Sequence, residues 1–352
     1  MDDKNVILHI SQYLSVRDFI TLLKCSKKLY ELYTDENMWN ISHTFRVKKN
    51  PCIYIFCIPR FTPKYTYPPI RHITADFCKL QNVNTLDVVK QIRRDFKALK
   101  SLHIENYVLD ESMQLNPIRL LKIEELSIKI VFPYVRCDIE FLTGMNLKKL
   151  ELSGTNLSSD KYLISLTSLT HLSLRNDYHE DYLLKNFTKL TSLTTLEMRT
   201  KKCYLRMYNN LCSSLTNKAM MYISQLTLKK LVLCGTTGIS DSGLKYIQEI
   251  KSLEILHLHH MRGITDQSFA HIKHMKKLKE LALRYCPNIQ GCRVNELSEC
   301  QIEVLNLSRN VQLRSHIFEK LNYVPSLKKL VIKNCGFTLV DMRLSKGYEI
   351  VC

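Results

Sequence analysis

Glycine and proline are scarce in this chain, nine of each in 352 residues, and tryptophan occurs once. With so little glycine there is no phosphate-cradling Gly-rich loop, and no HExxH or GxSxG motif stands anywhere in the sequence. The common catalytic signatures are therefore missing, and a non-catalytic protein without cofactor is the expectation. Acidic residues are also few, 33 against 51 Lys plus Arg, leaving a formal net charge of +18. That balance favours acidic partners: nucleic acid, a membrane surface, an acidic protein or a phosphorylated peptide. Long hydrophobic runs are absent, and the longest apolar burst, Ile53 to Ile58, is far too short to span a bilayer. No secretory h-region follows Met1, and neither Asp2 nor the terminal Cys352 fits a lipid anchor, so no membrane attachment is expected. The thirteen cysteines are scattered, with no CxxC pair and no Cys/His block at zinc-ligand spacing. Reduced thiols in a cytoplasmic or nuclear protein follow. A richness in Asn, Ile, Lys and Tyr suggests an AT-rich genome, such as that of a protist or a virus, which would place the protein in a host cell in the viral case.

What is present is a phrase that returns ten times: apolar, two variable residues, apolar, one variable residue, apolar. It begins at Leu99, Ile123, Leu147, Leu169, Leu193, Leu228, Leu253, Leu278, Ile302 and Leu327, at intervals of 24, 24, 22, 24, 35, 25, 25, 24 and 25. Eight of the nine intervals fall in the roughly 20–29 residue period of leucine-rich repeats. Alternation along a strand turns the second and third apolar residues inward and their neighbours outward. A helical stretch then returns the chain, and 239–247 (ISDSGLKYI) and 264–272 (ITDQSFAHI) offer Ser, Thr or Asp as helix caps. With Cys286 and Cys335 five residues after Leu281 and Leu330, these details resemble the cysteine-containing subclass of leucine-rich repeats, LxxLxLxxCxxITDxGL. The resemblance implies an α/β solenoid, a horseshoe with parallel strands on its concave face, and such arrays usually present a long surface to another macromolecule. About ten extra residues at Lys201–Leu211 break the period; a basic, Tyr-rich rim loop of this kind is either a recognition loop or a tolerated insertion.

The first 45 residues depart from the repeat and carry helical apolar stripes through Val6, Ile10 and Leu14 and through Leu22, Cys25, Leu29 and Leu32. Leu14-Ser15-Val16-Arg17-Asp18-Phe19, then Leu22, Cys25, Leu29, Leu32, Asp35 and Met38-Trp39 resemble the F-box phrase LSxxDL…L…VCxxWxxL…D…LW without a gap. The family's leading Leu-Pro falls on Asp2-Asp3, and its central Trp is Leu29. The organisation expected is a small all-α F-box-like domain at 1–45, a Pro/Tyr-rich packed connector at 46–69, about ten to eleven leucine-rich repeats at 70–337 and a cap or tail at 338–352. The resemblance implies a substrate-recognition subunit of a Skp/cullin/F-box ubiquitin ligase. The head would bind a Skp-type adaptor, and through it a cullin, by Val6, Ile10, Leu14, Phe19, Leu22 and Trp39, while catalysis would lie on other chains. A basic scaffold for nucleic acid or an acidic protein is the alternative, and a horseshoe-type enzyme inhibitor a third.

Substrate contacts are expected on the outward strand positions. Through the nine repeats beginning at Ile123 the residue after the last strand leucine reads Lys129, Ser153, Arg175, Arg199, Cys234, His259, Arg284, Ser308 and Lys333, five of the nine being basic and none acidic, with Glu105 in the repeat before them. This basic column suits an acidic or phosphorylated partner. Arg175, Arg199, His257, His259, Arg284, Tyr285 and Lys333 are the candidate binding residues. Small or modest residues between the leucines, Val232, Ala282, Asn306 and Val331, are expected to leave room for the partner. His257 and His259 share a face but find no third ligand, so polar contacts rather than a metal site are expected.

Overall fold

The computed structural model describes residues 45–46, 72–76, 85–95, 97–107, 115–130, 136–137, 139–154, 156–157, 161–175, 180–200, 213–335, 337 and 347–352. The chain divides into two compact units, Met1–Leu166 and Thr167–Cys352. The head residues Val6, Ile10, Leu14, Phe19, Leu22 and Trp39, the connector from 47 to 69 and the insertion Lys201–Leu211 lie outside the described residues.

In the first unit the strands are β1 (Phe45–Arg46), β2 (His72–Asp76), β3 (Ser101–Tyr107), β4 (Glu125–Ile130), β5 (Arg136–Cys137), β6 (Lys149–Ser153) and β7 (Asn156–Leu157). The main sheet runs β1-β2-β3-β4-β6, each neighbouring pair parallel, and β5 and β7 form a separate parallel pair. Helix α1 (Thr85–Asp95) connects β2 to β3. Strand β1 straddles the boundary drawn at residue 45, and β2 begins the array close to the expected residue 70.

The second unit contains β8 (His171–Arg175), β9 (Thr195–Arg199), β10 (Ser213–Thr216), β11 (Lys230–Cys234), β12 (Thr236–Gly238), β13 (Ile255–His259), β14 (Glu280–Arg284), β15 (Val304–Asn306), β16 (Lys329–Val331) and β17 (Glu349–Val351). Its main sheet is ordered β8-β9-β11-β13-β14-β15-β16-β17, with β10 and β12 paired on their own. The connections include α2 (Asp181–Phe187), α3 (Asn217–Ile223), α4 (Asp241–Ile247), α5 (Phe269–Ile272) and α6 (Ile317–Leu321).

Register follows the apolar phrase. Leu172, Leu196, Leu231, Leu256, Leu281, Leu305, Leu330 and Ile350 stand side by side on successive strands. The ten extra residues before β11 leave this alignment intact, because Leu196 still pairs with Leu231. A slip of one residue would turn every leucine out of the core, so the buried face fixes the register. The phrase residues from Leu169 to Leu307 are at most 1% exposed, and burying each contributes about 1.5–3 kcal/mol. Strand β17 lies in the segment expected as a cap or tail and extends the parallel sheet by one strand.

Polar groups join one repeat of the second unit to the next. The Asp241 carboxylate accepts from the Thr265 backbone N–H at 2.9 Å and from its hydroxyl at 2.7 Å, while the same hydroxyl accepts from Gln267 N–H at 3.1 Å. Asp181 holds Thr216 in the same way, at 2.8 and 2.6 Å, and Thr216 caps α3 through Lys218 N–H. Thr216 and Thr265 thus each cap their own short helix and are each clamped by an Asp of the preceding repeat, whereas Asp266 accepts from the backbone N–H groups of Gln290, Gly291 and Cys292 at 3.3, 3.0 and 3.0 Å. Ser240, expected to cap α4, makes no side-chain cap bond; its hydroxyl accepts instead from Asn217. On the sheet side, fully buried Asn310 accepts from Cys286 N–H at 2.7 Å and donates to Leu283 O at 2.7 Å. Asn310 stands in the register of Cys286 and Cys335, whose thiols donate to Leu258 O and Leu307 O at 3.5 and 3.2 Å. Burial pushes the Cys286 thiol up to about 12, so it stays protonated and able to donate.

Candidate interaction surface

One face of the second unit's sheet carries the buried leucines; the other carries the residues on either side of them. Three rows run across this open face. The row between the leucines holds Ser173, Glu197, Val232, His257, Ala282, Asn306 and Val331 on neighbouring strands. Val232 is fully buried and Ala282 is 3% exposed, so the room expected above these small residues is already covered.

The row at the strand ends is the expected basic column, and the structure divides it. Arg175 and Arg199 are register neighbours. Arg199 is partly neutralised: Glu197 accepts from it at 3.2 Å and pairs with Lys230 at 2.7 Å. Burial would raise the Glu197 carboxyl, but these cations hold it below its ordinary value. His259 was expected to face a partner; it is instead 7% exposed, flanked in register by Cys234 and Arg284 and stacked on His257 with ring centroids 5.6 Å apart. Desolvation, helped by His257 and Arg284, holds its imidazole neutral, down at about 3. His257 Nε2 donates to Glu280 at 2.7 Å, and burial lowers its pKa while Glu280 pulls the other way. Among the described residues no group of three or more His, Cys, Asp or Glu could hold a metal ion. Arg175 and Lys333 are exposed and Arg284 half-buried, and none of the three has an acidic partner among the described residues.

A third row was not expected. His260, Tyr285, Arg309 and Asn334 have φ of 57°, 54°, 65° and 58°, the left-handed region that non-glycine residues rarely occupy. Gly235, with φ of 81°, holds the corresponding place after β11. Each of these turns closes on the next strand: His260 N–H donates to Arg284 O, Tyr285 N–H to Ser308 O and Arg309 N–H to Lys333 O, at 2.8–3.2 Å. The backbone conformation stacks the side chains of adjacent repeats. His260 and Tyr285 lie ring on ring at 4.1 Å and 17°, and the Arg309 guanidinium sits 4.9 Å from the Tyr285 ring centre. Tyr285 was expected as a partner-contacting residue beside Arg284; it is the centre of this stack. The signal was the glycine at 235 and the asparagine at 334, two residues after the last phrase leucine or isoleucine, which mark a left-handed turn in that register.

No protein-family profile matches the chain, and no curated protein matches it in sequence. Solved structures do match. The matched chain of the yeast Rad7–Elc1 complex is 18% identical over 76% of this chain and 64% of its own length, with a TM-score of 0.50. A chain of the Drosophila Toll–Spatzle complex is 13% identical over 77% of this chain and 36% of its own, with a TM-score of 0.51. The fold is that of leucine-rich repeat proteins. An internalin from Listeria monocytogenes also matches, at 20% identity over 74% of this chain and 69% of its own, with a TM-score of 0.47. The leucine-rich repeat assignment rests on the parallel register and on the neighbours with TM-scores of 0.50 and 0.51. No helix among the described residues is long and apolar enough to cross a membrane.

Proposed function

We propose that the chain is the substrate-receptor subunit of a Skp/cullin/F-box type ubiquitin ligase, its leucine-rich repeats holding the substrate protein and its head the adaptor. The observation that carries this reading is the ungapped F-box phrase from Leu14 to Trp39, attached to a leucine-rich repeat body. The body supplies what a receptor needs: a rigid sheet face with cations, Arg175, Arg284 and Lys333, that lack acidic partners among the described residues. The yeast neighbour was solved as a complex with a second protein, an arrangement consistent with a repeat body that works beside an adaptor. The chain performs no chemistry in this scheme; it raises the effective concentration of the substrate at catalytic groups on other subunits. The test is calorimetric titration of the full chain with a purified Skp-type adaptor, expected to give Kd of about 1 μM or tighter. Leu14→Asp, which puts a charge on the apolar stripe, is expected to abolish binding. A folded wild-type chain that binds no adaptor would overturn the reading.

A further inference from the structure

The left-handed row and the column beside it converge at the ends of β14, β15 and β16. Arg284 ends β14, and Arg309 follows the end of β15. Lys333 follows β16 and receives the Arg309 N–H on its carbonyl. Successive strands lie about 4.8 Å apart, so three cations stand within roughly 10 Å along one edge of the open face. Four lysines near this face are matched, Lys230 by Glu197, Lys279 by Glu254, Lys328 by Glu303 and Lys329 by Glu349, while Arg175, far along the sheet on β8, is not matched among the described residues. Arg284, Arg309 and Lys333 are not matched among the described residues, and Arg284 Nε is a shielded donor without an acceptor. Like charges gathered in this way repel, and an incoming anion relieves the repulsion.

The stack decides the kind of anion. Surfaces for single-stranded nucleic acid offer free aromatic faces on which bases lie. Here the Tyr285 ring is already engaged: His260, on the repeat before, stacks on it, and Arg309, on the repeat after, sits over it. What remains accessible is the guanidinium and ammonium edge, which takes a carboxylate or phosphate oxygen by charge-assisted hydrogen bonds. We infer that Arg284, Arg309 and Lys333, held by the His260–Tyr285–Arg309 stack, form a subsite for the anionic side chain of an acidic peptide segment on a protein partner. This deepens the receptor reading, since it names the chemistry of the segment gripped. It does not depend on the adaptor.

The experiment is fluorescence anisotropy on the full chain with four labelled 12-residue probes. They are a Glu-rich peptide, its phosphoserine counterpart, its Gln-substituted neutral counterpart and a single-stranded oligonucleotide. The Glu-rich or the phosphoserine peptide is expected to bind, and whichever is tighter identifies the source of the anion. The neutral peptide is expected to bind at least about tenfold more weakly. Arg284→Gln and Arg309→Gln should each weaken the anionic peptide by about tenfold or more, whereas Lys218→Gln on α3 removes the same charge and should change it less than about twofold. Circular dichroism of each variant separates lost binding from lost folding. Equal binding of the neutral peptide, equal effects of Lys218→Gln and Arg284→Gln, or tighter and more salt-sensitive binding of the oligonucleotide would overturn the subsite. Adaptor titration of the same preparations separates that outcome from failure of the ligase reading.

Discussion

At the scale of single residues, stability at the repeat junctions rests on a few polar side chains that each serve two repeats. Asn310 is fully buried and satisfies one backbone donor and one backbone carbonyl. Asn310→Ala would orphan both, at about 1–3 kcal/mol for each group, measured as a fall in urea unfolding free energy. Val311, 76% exposed next to it, is the control, because Val311→Ala should change stability by less than about 0.5 kcal/mol. Equal stabilities for the two variants would contradict the role given to Asn310. The Asp241–Thr265 clamp is tested by a double-mutant cycle with Asp241→Ala and Thr265→Val, expected to show a coupling of about 0.5–3 kcal/mol, and strict additivity would count against the clamp. These residues were only partly legible in the sequence. The ISD and ITD triplets marked the helix starts, but that Asp241 reaches Thr265 of the next repeat depends on stacking, which a linear pattern does not display. Asn310 shares the register of Cys286 and Cys335, and that register is readable once the polar position is taken to need a hydrogen-bond donor rather than a cysteine.

At the scale of elements, the ten phrases located the core strands and their register because burial of one face admits only one alignment. The strand β17 was not legible, since Ile350 stands without the repeated leucines that would give it a phase. Ion pairs join the residues that lead into the strands. Lys100, Glu124 and Lys148 lie side by side in the residues leading into β3, β4 and β6, with Glu124 bridging both lysines at 2.9 and 2.8 Å and held by them down at about 2. Lys279–Glu254 and Lys328–Glu303 repeat the pattern in the second unit. The open face was harder to read, because whether a strand-end residue is exposed depends on the length of its neighbours, and His259 is covered where Lys333 is not. The pairing of β13 with β11 and β14 therefore carries a pH dependence. The folded state holds His259 neutral at about 3, while the unfolded chain protonates it near 6.5, so acid favours unfolding. Stability should fall as pH drops from about 6.5 toward 3, by up to about 1.4 kcal/mol per unit for this group. His259→Gln should flatten that slope in urea titrations at each pH, and an unchanged slope would contradict the assignment. Close approach of repeats elsewhere demands glycine: a Cβ on Gly238 would lie 2.7 Å from Leu215 O, and one on Gly263 would press on Ile239 O. Gly263→Ala is therefore expected to lower the thermal midpoint by several degrees, and no change would mean the bridge between Ser240 and Gly263 opens without cost.

For the whole molecule, the repeat body is a leucine-rich repeat scaffold resting on fold and register, and the adaptor-binding role proposed for the head rests on the F-box-like phrase in the sequence alone. The body was legible because a solenoid repeats its instructions, so each repeat confirms the phase of the last. The subsite on it was not, because it arises from left-handed turns that bring residues 24 and 25 positions apart into one stack. The measurement that tests the central claim most directly is affinity purification of the full chain from cells, read quantitatively for Skp-type adaptor and cullin, with wild type, Leu14→Asp and Arg284→Glu compared. Adaptor and cullin are expected to copurify with wild type and with Arg284→Glu and to disappear with Leu14→Asp, while both variants remain folded. Absence of adaptor and cullin from the wild-type purification, with nucleic acid recovered in their place and released by moderate salt, would contradict it.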